Sequence, residues 1–344
     1  MQPIQTIEEF FTRSGADVSL YHMGRRVAPL SRQILAEFEQ GQRPWPEPWQ
    51  GQARLAAIFT LGDMPEPAIW FLALPLDEQG LLSPAQRDGF LNRLMETLGK
   101  NVSTIGQNAK DADHFMKDNP LAFTPSVTFQ AMLNAHATRE RELPASQHFE
   151  PVDAYLTGQQ AIDWQALGLQ GIADYAVRLD AEQAEVLASR LAALPAGVVH
   201  SLCYCLEHQA LAPALVAALR LRGEQAADEG DMETLCACIR AVGSSDSSDV
   251  ATWYSSLLED PHACGPDVLA AIAGRGWPLL EDANRLPLFL DRLAEDERTN
   301  FASVVRDIAL IPRLRLPVML ALRDAPEGSA VRRRLAAMTQ AAKR

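Results

Sequence analysis

The chain has 344 residues, 47% of them hydrophobic and 22% charged, with a formal net charge of −13. Those values describe an ordinary globular protein of about two domains, and its longest apolar run, Pro67–Leu76, is about half of what a membrane-spanning helix needs. The acidic balance disfavours general nucleic-acid binding, which requires clustered Lys and Arg.

Thr6–Arg13 reads as a short helix, with Thr6 as N-cap and Glu9 at the capping-box spacing. Asp17–His22 alternates like a strand. Pro29–Glu39 is expected to be helical, since Leu30, Ile34, Leu35 and Phe38 share one face, and Gly41 ends it. The three prolines of Arg43-Pro44-Trp45-Pro46-Glu47-Pro48-Trp49 force an extended loop. Arg54–Leu61 and Ala68–Leu76 read as two strands joined by a hairpin loop, Gly62–Pro67. The second strand is apolar on both faces, which predicts a central position covered from both sides. Ser83 and Pro84 start a helix that runs to Leu98, burying Phe90, Leu91, Leu94 and Leu98.

Asn101–Pro151 is more polar and carries four prolines, so it is expected to bridge two halves through short helices such as Ser126–Ala137. From Pro151 onward strand signals vanish. Glu182–Leu194 is amphipathic, with Leu187, Leu191 and Leu194 aligned. Leu202-Cys203-Tyr204-Cys205-Leu206 recurs 33 residues later as Leu235-Cys236-Ala237-Cys238-Ile239, with fainter echoes at Leu269–Ala273 and Val304–Ile308. A second apolar helix follows each: Pro213–Leu221, Ala251–Leu258, Leu286–Leu293 and Leu316–Leu322. Gly243–Ser248 is a plain inter-helix loop whose late Ser or Asp caps the next helix. Helix pairs at such a period are the mark of an α-solenoid, and the missing tetratricopeptide pattern makes HEAT-like pairs the better description.

The predicted fold is therefore α+β and mostly α. A small α+β domain spans residues 1–100, a helical bridge 101–150 and a HEAT-like array 151–344. Charge is spread unevenly, with an acidic array that ends in a basic cap. Residues 151–297 carry 8 bases and 23 acids, a net of −15, whereas 298–344 carry 10 bases and 3 acids, a net of +7. Five cysteines are an odd number, and Met1–Phe10 holds two acids and no base, so the expected setting is a reducing cytoplasm without a secretory signal.

Candidate chemistry is sparse. Cys203, Cys205, Cys236 and Cys238, with His200 and His208 nearby, offer metal-ligand types. Residues two apart on a helix, however, point about 200° away from each other, and zinc needs four converging ligands. Core packing accounts for them more simply, so no metal and no cofactor is expected. Asp111, Asp113 and His114 read as a solvated turn, and His262 with Cys264 as part of a loop. Among the common catalytic motifs, no nucleophile elbow, phosphate-binding loop, dinucleotide fingerprint or zinc-protease helix occurs.

Two groups have the right character for binding. Trp45 and Trp49 stand on a rigid proline-rich loop and could serve as aromatic anchors, or fold back over the small sheet. Arg313, Arg315, Arg323, Arg332, Arg333 and Arg334, with Lys343 and Arg344, form a basic end suited to an acidic partner, or pair locally and complement helix termini.

Ile7-Glu8-Glu9-Phe10-Phe11, the Trp70–Leu76 strand and the helical second half together resemble an uncharacterised family of gammaproteobacterial proteins of about this length. The resemblance covers nearly the whole chain and implies a bacterial cytoplasmic setting. No activity, cofactor or catalytic residue comes with it.

Three functions are thus expected to compete. The first is a non-enzymatic scaffold that binds a protein partner along the helical array. The second is a hydrolase or transferase with its site between the two halves, where His22, Asp63 and His114 are the first suspects. The third is nucleic-acid binding through the basic end. None involves a membrane.

Overall fold

A computed structural model describes residues 4–62, 64, 66–98, 116, 119–160 and 163–341. The chain divides into two compact units, Met1–Phe129 with Leu310–Pro312, and Gln130–Ala309 with Arg313–Arg344.

The first unit opens with helix α1 (Ile7–Ser14). Thr6 Oγ1 accepts the Glu9 N–H at 2.9 Å, and Gly15, at φ +68°, closes the other end. The Glu9 carboxylate reaches the Gln5 amide instead of the Thr6 amide that the capping-box spacing predicts. Strands β1 (Asp17–Met23), β2 (Val27–Leu30), β3 (Gln52–Thr60) and β4 (Ala68–Pro75) form one antiparallel sheet in the order β2-β1-β3-β4.

Two expectations need correction. Pro29 and Leu30 belong to β2, opposite Tyr21 and Leu20, and helix α2 (Arg32–Glu39) begins only after Ser31, whose hydroxyl accepts the Ile34 N–H. Proline is tolerated on an edge strand because its missing donor faces away from the ladder, and serine is the stronger helix start. The second correction concerns β4, which is an edge strand and not a central one. Its outer side is closed by residues 121–123, through Ala73 N–H to Leu121 O at 2.7 Å and Phe123 N–H to Phe71 O. Apolarity on both faces reports what covers the faces, not how many strands flank the edges.

Helix α3 (Pro84–Leu98) completes this core. Trp70 on β4 is 1% exposed and packs against Phe10 and Phe11 of α1, Phe59 of β3 and Phe90 of α3, the Phe59 ring centroid lying 4.7 Å away. At such a site, truncation to alanine costs about 3–5 kcal/mol. At the end of α2, the Glu39 carboxylate accepts the amides of Ile7 and Glu8 at 2.8 and 2.9 Å, so a second helix caps the first turn of α1. The Leu98 side chain lies outside the described residues.

The rest is helical among the described residues: α4 (Val127–Glu140), α5 (Phe149–Leu156), α6 (Leu169–Arg178), α7 (Ala181–Arg190), α8 (Ala196–Leu206), α9 (Pro213–Glu229), α10 (Met232–Val242), α11 (Ser248–Glu259), α12 (Pro266–Gly274), α13 (Arg285–Glu295), α14 (Phe301–Ala309), α15 (Pro312–Asp324) and α16 (Ala330–Ala341). From α6 to α13 every helix touches the one two places along: α6, α8, α10 and α12 in one series, and α7, α9, α11 and α13 in the other. Leu206, Ile239, Ala273 and Ile308, the last position of each echo, are all buried. Cys205 and Cys238 are buried at equivalent positions, whereas Cys203 is buried and Cys236 only half-buried, because the Cys203 thiol meets Cys238 on the neighbouring helix.

The same spacing places a charge ladder across α8, α10 and α12. Glu207 follows α8, Arg240 lies in the last turn of α10 and Arg275 follows α12. Arg240 grips the Glu207 carboxylate with two bonds of 2.7 and 2.8 Å, and Arg275 Nε adds a third at 2.6 Å. Gly243 lets the ends of α10 and α12 meet, since a Cβ there would lie 2.7 Å from the Arg275 backbone.

Candidate functional site

The proline–tryptophan loop is part of the first unit's core. Trp45 donates its amide to Gly80 O at 2.9 Å, and its indole is fully buried between Phe38 and His22, at 4.9 and 5.2 Å between ring centroids. It therefore has no face to offer a partner. Trp49 is half-buried, exchanges two backbone hydrogen bonds with Gln52 and lies under the Arg25 guanidinium at 5.3 Å. Arg25 is itself fully buried and donates to Pro48 O at 2.8 Å, while Arg26 pairs with Glu47 at 2.9 Å. The loop folds back onto the β1–β2 turn, as apolar cover for a sheet this small requires.

His22 faces Trp45 in this core, and burial lowers its pKa below the usual histidine range, so it is neutral near pH 7. Its suspected partners Asp63 and His114, with Asp111 and Asp113, lie outside the described residues. His262 is exposed and Cys264 buried on the same turn, so that pair does not converge. Hydrogen bonding to Cys238 and burial push the Cys203 thiol well up, and burial does the same for Cys205. Such thiols are poor nucleophiles. Among the described residues no three His, Cys, Asp or Glu side chains gather as a metal ion would need.

The basic end separates into two classes of arginine. Arg334 donates to Ala294 O and Asp296 O at 3.0 Å each, finishing the C-terminus of α13. Arg332 does the same for α15 through Ala325 O at 2.8 Å and Arg323 O at 2.5 Å, and Arg333 donates to Gly328 O at 2.6 Å. Arg334 and Arg332 thus satisfy carbonyls at or just past helix ends, and Arg333 one in the turn before α16. Arg313 behaves differently. Its side chain is 78% exposed and, among the described residues, pairs with Glu281 in solvent at 3.2 Å. Arg323 is also exposed and pairs with its neighbour Asp324, while Arg315 is half-buried.

Arg313 and Arg323 bracket an apolar stripe on α15. At 3.6 residues per turn, Arg313, Leu316, Met319, Leu320 and Arg323 fall on one face. Leu316 is 63% exposed, Met319 56% and Leu320 38%. The opposite face buries Leu314 and Val318, so between its charged ends the helix carries apolar residues on both faces, which a simple surface helix does not. Pro317 removes the N–H that a regular helix directs at the Arg313 carbonyl, leaving an acceptor beside the stripe. The sequence signal was present in Leu316–Leu322 itself: six apolar residues in seven, spread over more than one face.

A family profile described as "Protein of unknown function (DUF3549)" matches residues 2–339. No curated protein and no solved structure matches the chain.

Proposed function

The chain belongs to that DUF3549 family, and from its geometry we propose that it is a non-enzymatic interaction protein whose helical second unit, read as a HEAT-like array, binds a protein partner through the outward face of α15. The observation that carries this reading is the clustering of exposed apolar side chains. Of the seven large hydrophobic residues exposed among the described residues, three stand together on that face. Scattered exposed leucines need no explanation, but a contiguous stripe rimmed by polar groups does. Arginines at both ends suit a partner segment whose apolar residues are flanked by Asp or Glu. Arginine and methionine are also the side chains enriched where proteins meet.

The test is affinity purification with mass spectrometry, at low and high salt, of the tagged wild type and a Leu316→Asp/Met319→Asp variant. Both positions are exposed, so the variant is expected to unfold at the wild-type temperature. A partner held by the stripe survives high salt with the wild type and is lost from the variant, whose affinity falls at least about tenfold, or about 1.4 kcal/mol. Equal recovery by both proteins would remove α15 as the binding face.

A further inference from the structure

The second unit holds another feature, remote in sequence from the α15 stripe. A groove of about 570 Å³ opens where α9 and α11 begin, lined by the loop before α9 and by residues 244–250. That volume lies within the range of sites that hold ligands. Val216 and Val250, both buried, and the exposed Ala217 supply an apolar floor. Asp246 and Asp249 stand exposed at the rim with no ion pair to either among the described residues, whereas the one cation in the lining, Arg220, is already neutralised by Glu224.

The helix starts add a second kind of contact. Ser247 occupies the N-cap of α11 without a side-chain hydrogen bond, and α9 begins at Pro213 with no side-chain cap either. First-turn amides left in this state seek an acceptor. An isolated helix N-terminus would favour an anion. Here the two unpaired carboxylates, in a stretch of net charge −15, oppose one. A peptide backbone supplies neutral carbonyl acceptors without that conflict.

We propose that this groove binds an extended basic peptide segment of a partner protein. Lys or Arg side chains meet Asp246 and Asp249, an apolar side chain rests on the Val216–Val250 floor, and backbone carbonyls accept the free amides of α11. The groove is a binding site distinct from the α15 face, and its occupant carries the opposite charge from the one that suits Arg313 and Arg323.

The probe is a fluorescent octapeptide of alternating Lys and Leu, with alternating Glu and Leu as its counterpart, titrated into the full chain at low and high salt and followed by anisotropy. The Lys–Leu peptide is expected to bind, more weakly as salt rises, and to slow amide exchange over residues 211–217 and 244–250. Asp246→Lys/Asp249→Lys is expected to weaken binding about tenfold or more, and Ala217→Trp, which fills the exposed floor, by a similar factor. Leu316→Asp/Met319→Asp is expected to leave it unchanged, which separates this site from the α15 reading. The proposal is overturned by preference for the Glu–Leu peptide, by equal binding to the charge-reversed variant, or by no binding up to about 1 mM peptide, the affinity of a negligible contact.

Discussion

Each of the two units buries a glutamate, and they treat it in opposite ways. Glu39, 6% exposed, accepts two amides at the start of α1. Its nearest cation, Arg87, stays 3.9 Å from the carboxylate and donates to the Glu39 main-chain carbonyl. Burial outweighs the amide dipoles and the distant charge, and pushes the Glu39 pKa up to about 7. Glu207, 3% exposed, is desolvated just as thoroughly, but Arg275 and Arg240 more than offset that cost and hold its pKa below the usual glutamate value. Two amides are not equivalent to two guanidinium groups. The sheet unit's acid therefore changes charge near neutrality, whereas the helical unit's acid stays ionised and serves as a fixed counter-charge between helix ends.

The sharpest way to break this contrast is Glu207→Ala. It leaves Arg240 and Arg275 facing each other without the carboxylate between them, with Arg275 deeply buried. Removing one partner of a buried ion network costs about 3–5 kcal/mol, read as a lower urea midpoint for the helical unit. Replacing all three residues by methionine is expected to recover most of that loss, because the desolvation cost disappears with the charges. A single substitution costing under about 1 kcal/mol would mean that solvent already screens the ladder.

Glu39 sharpens the contrast through pH. Its folded pKa is raised from 4.5 to about 7, so the folded state binds the extra proton between those values. Its contribution to stability is therefore full below about pH 4.5, declines as pH rises through 7, and is flat above. The swing is on the order of 3 to 4 kcal/mol at most, at about 1.4 kcal/mol per pKa step. Unfolding midpoints measured from pH 5 to 8 are expected to fall for the wild type and to stay level for Glu39→Gln once other groups cancel in the difference. Parallel curves would show that the two amides alone keep Glu39 an ordinary acid.

Much of this was legible in the sequence where one local signal decides the outcome. Thr6 before an apolar helix, Ser83-Pro84 at a helix start, and the 33-residue recurrence of Leu202–Leu206 each led to the element observed. Trp45 was not decided locally, because a proline-rich loop serves equally well to present an indole or to fold it under, and only the Phe38–His22 cleft settles which. Pro29 and Leu30 satisfied a helical face and a strand at once, and pairing with Tyr21 and Leu20 chose the strand. The Glu207–Arg240–Arg275 ladder was hidden differently. An acid just past an apolar helix reads as a solvated end, and it becomes informative only when arginines recur at the repeat spacing of 33 and 35. Leu316–Leu322 read only as an apolar helix, because periodicity cannot tell which of two apolar faces finds a neighbour.

The smallest expected effect lies in the C-terminal arginines, and it repeats the opening contrast with the signs reversed. Arg334, like Glu39, is matched by backbone dipoles: its fork meets two carbonyls at the end of α13, where the helix carries its negative partial charge. Arg313, by contrast, has a full carboxylate partner in Glu281, but in water. A buried amide pair failed to offset the burial of Glu39 because desolvation there was nearly complete. Arg334 is only half-buried and loses far less hydration, so the same kind of backbone contact is expected to be net stabilising. Arg334→Ala should cost about 1 kcal/mol, and Arg334→Lys should recover only part of that, since an ammonium cannot span both carbonyls. Arg313→Ala should stay within about 0.5 kcal/mol of wild type, as exposed pairs do. If urea midpoints instead ranked Arg313 above Arg334, the formal charge of the partner, and not the loss of water, would govern the strength of both contacts.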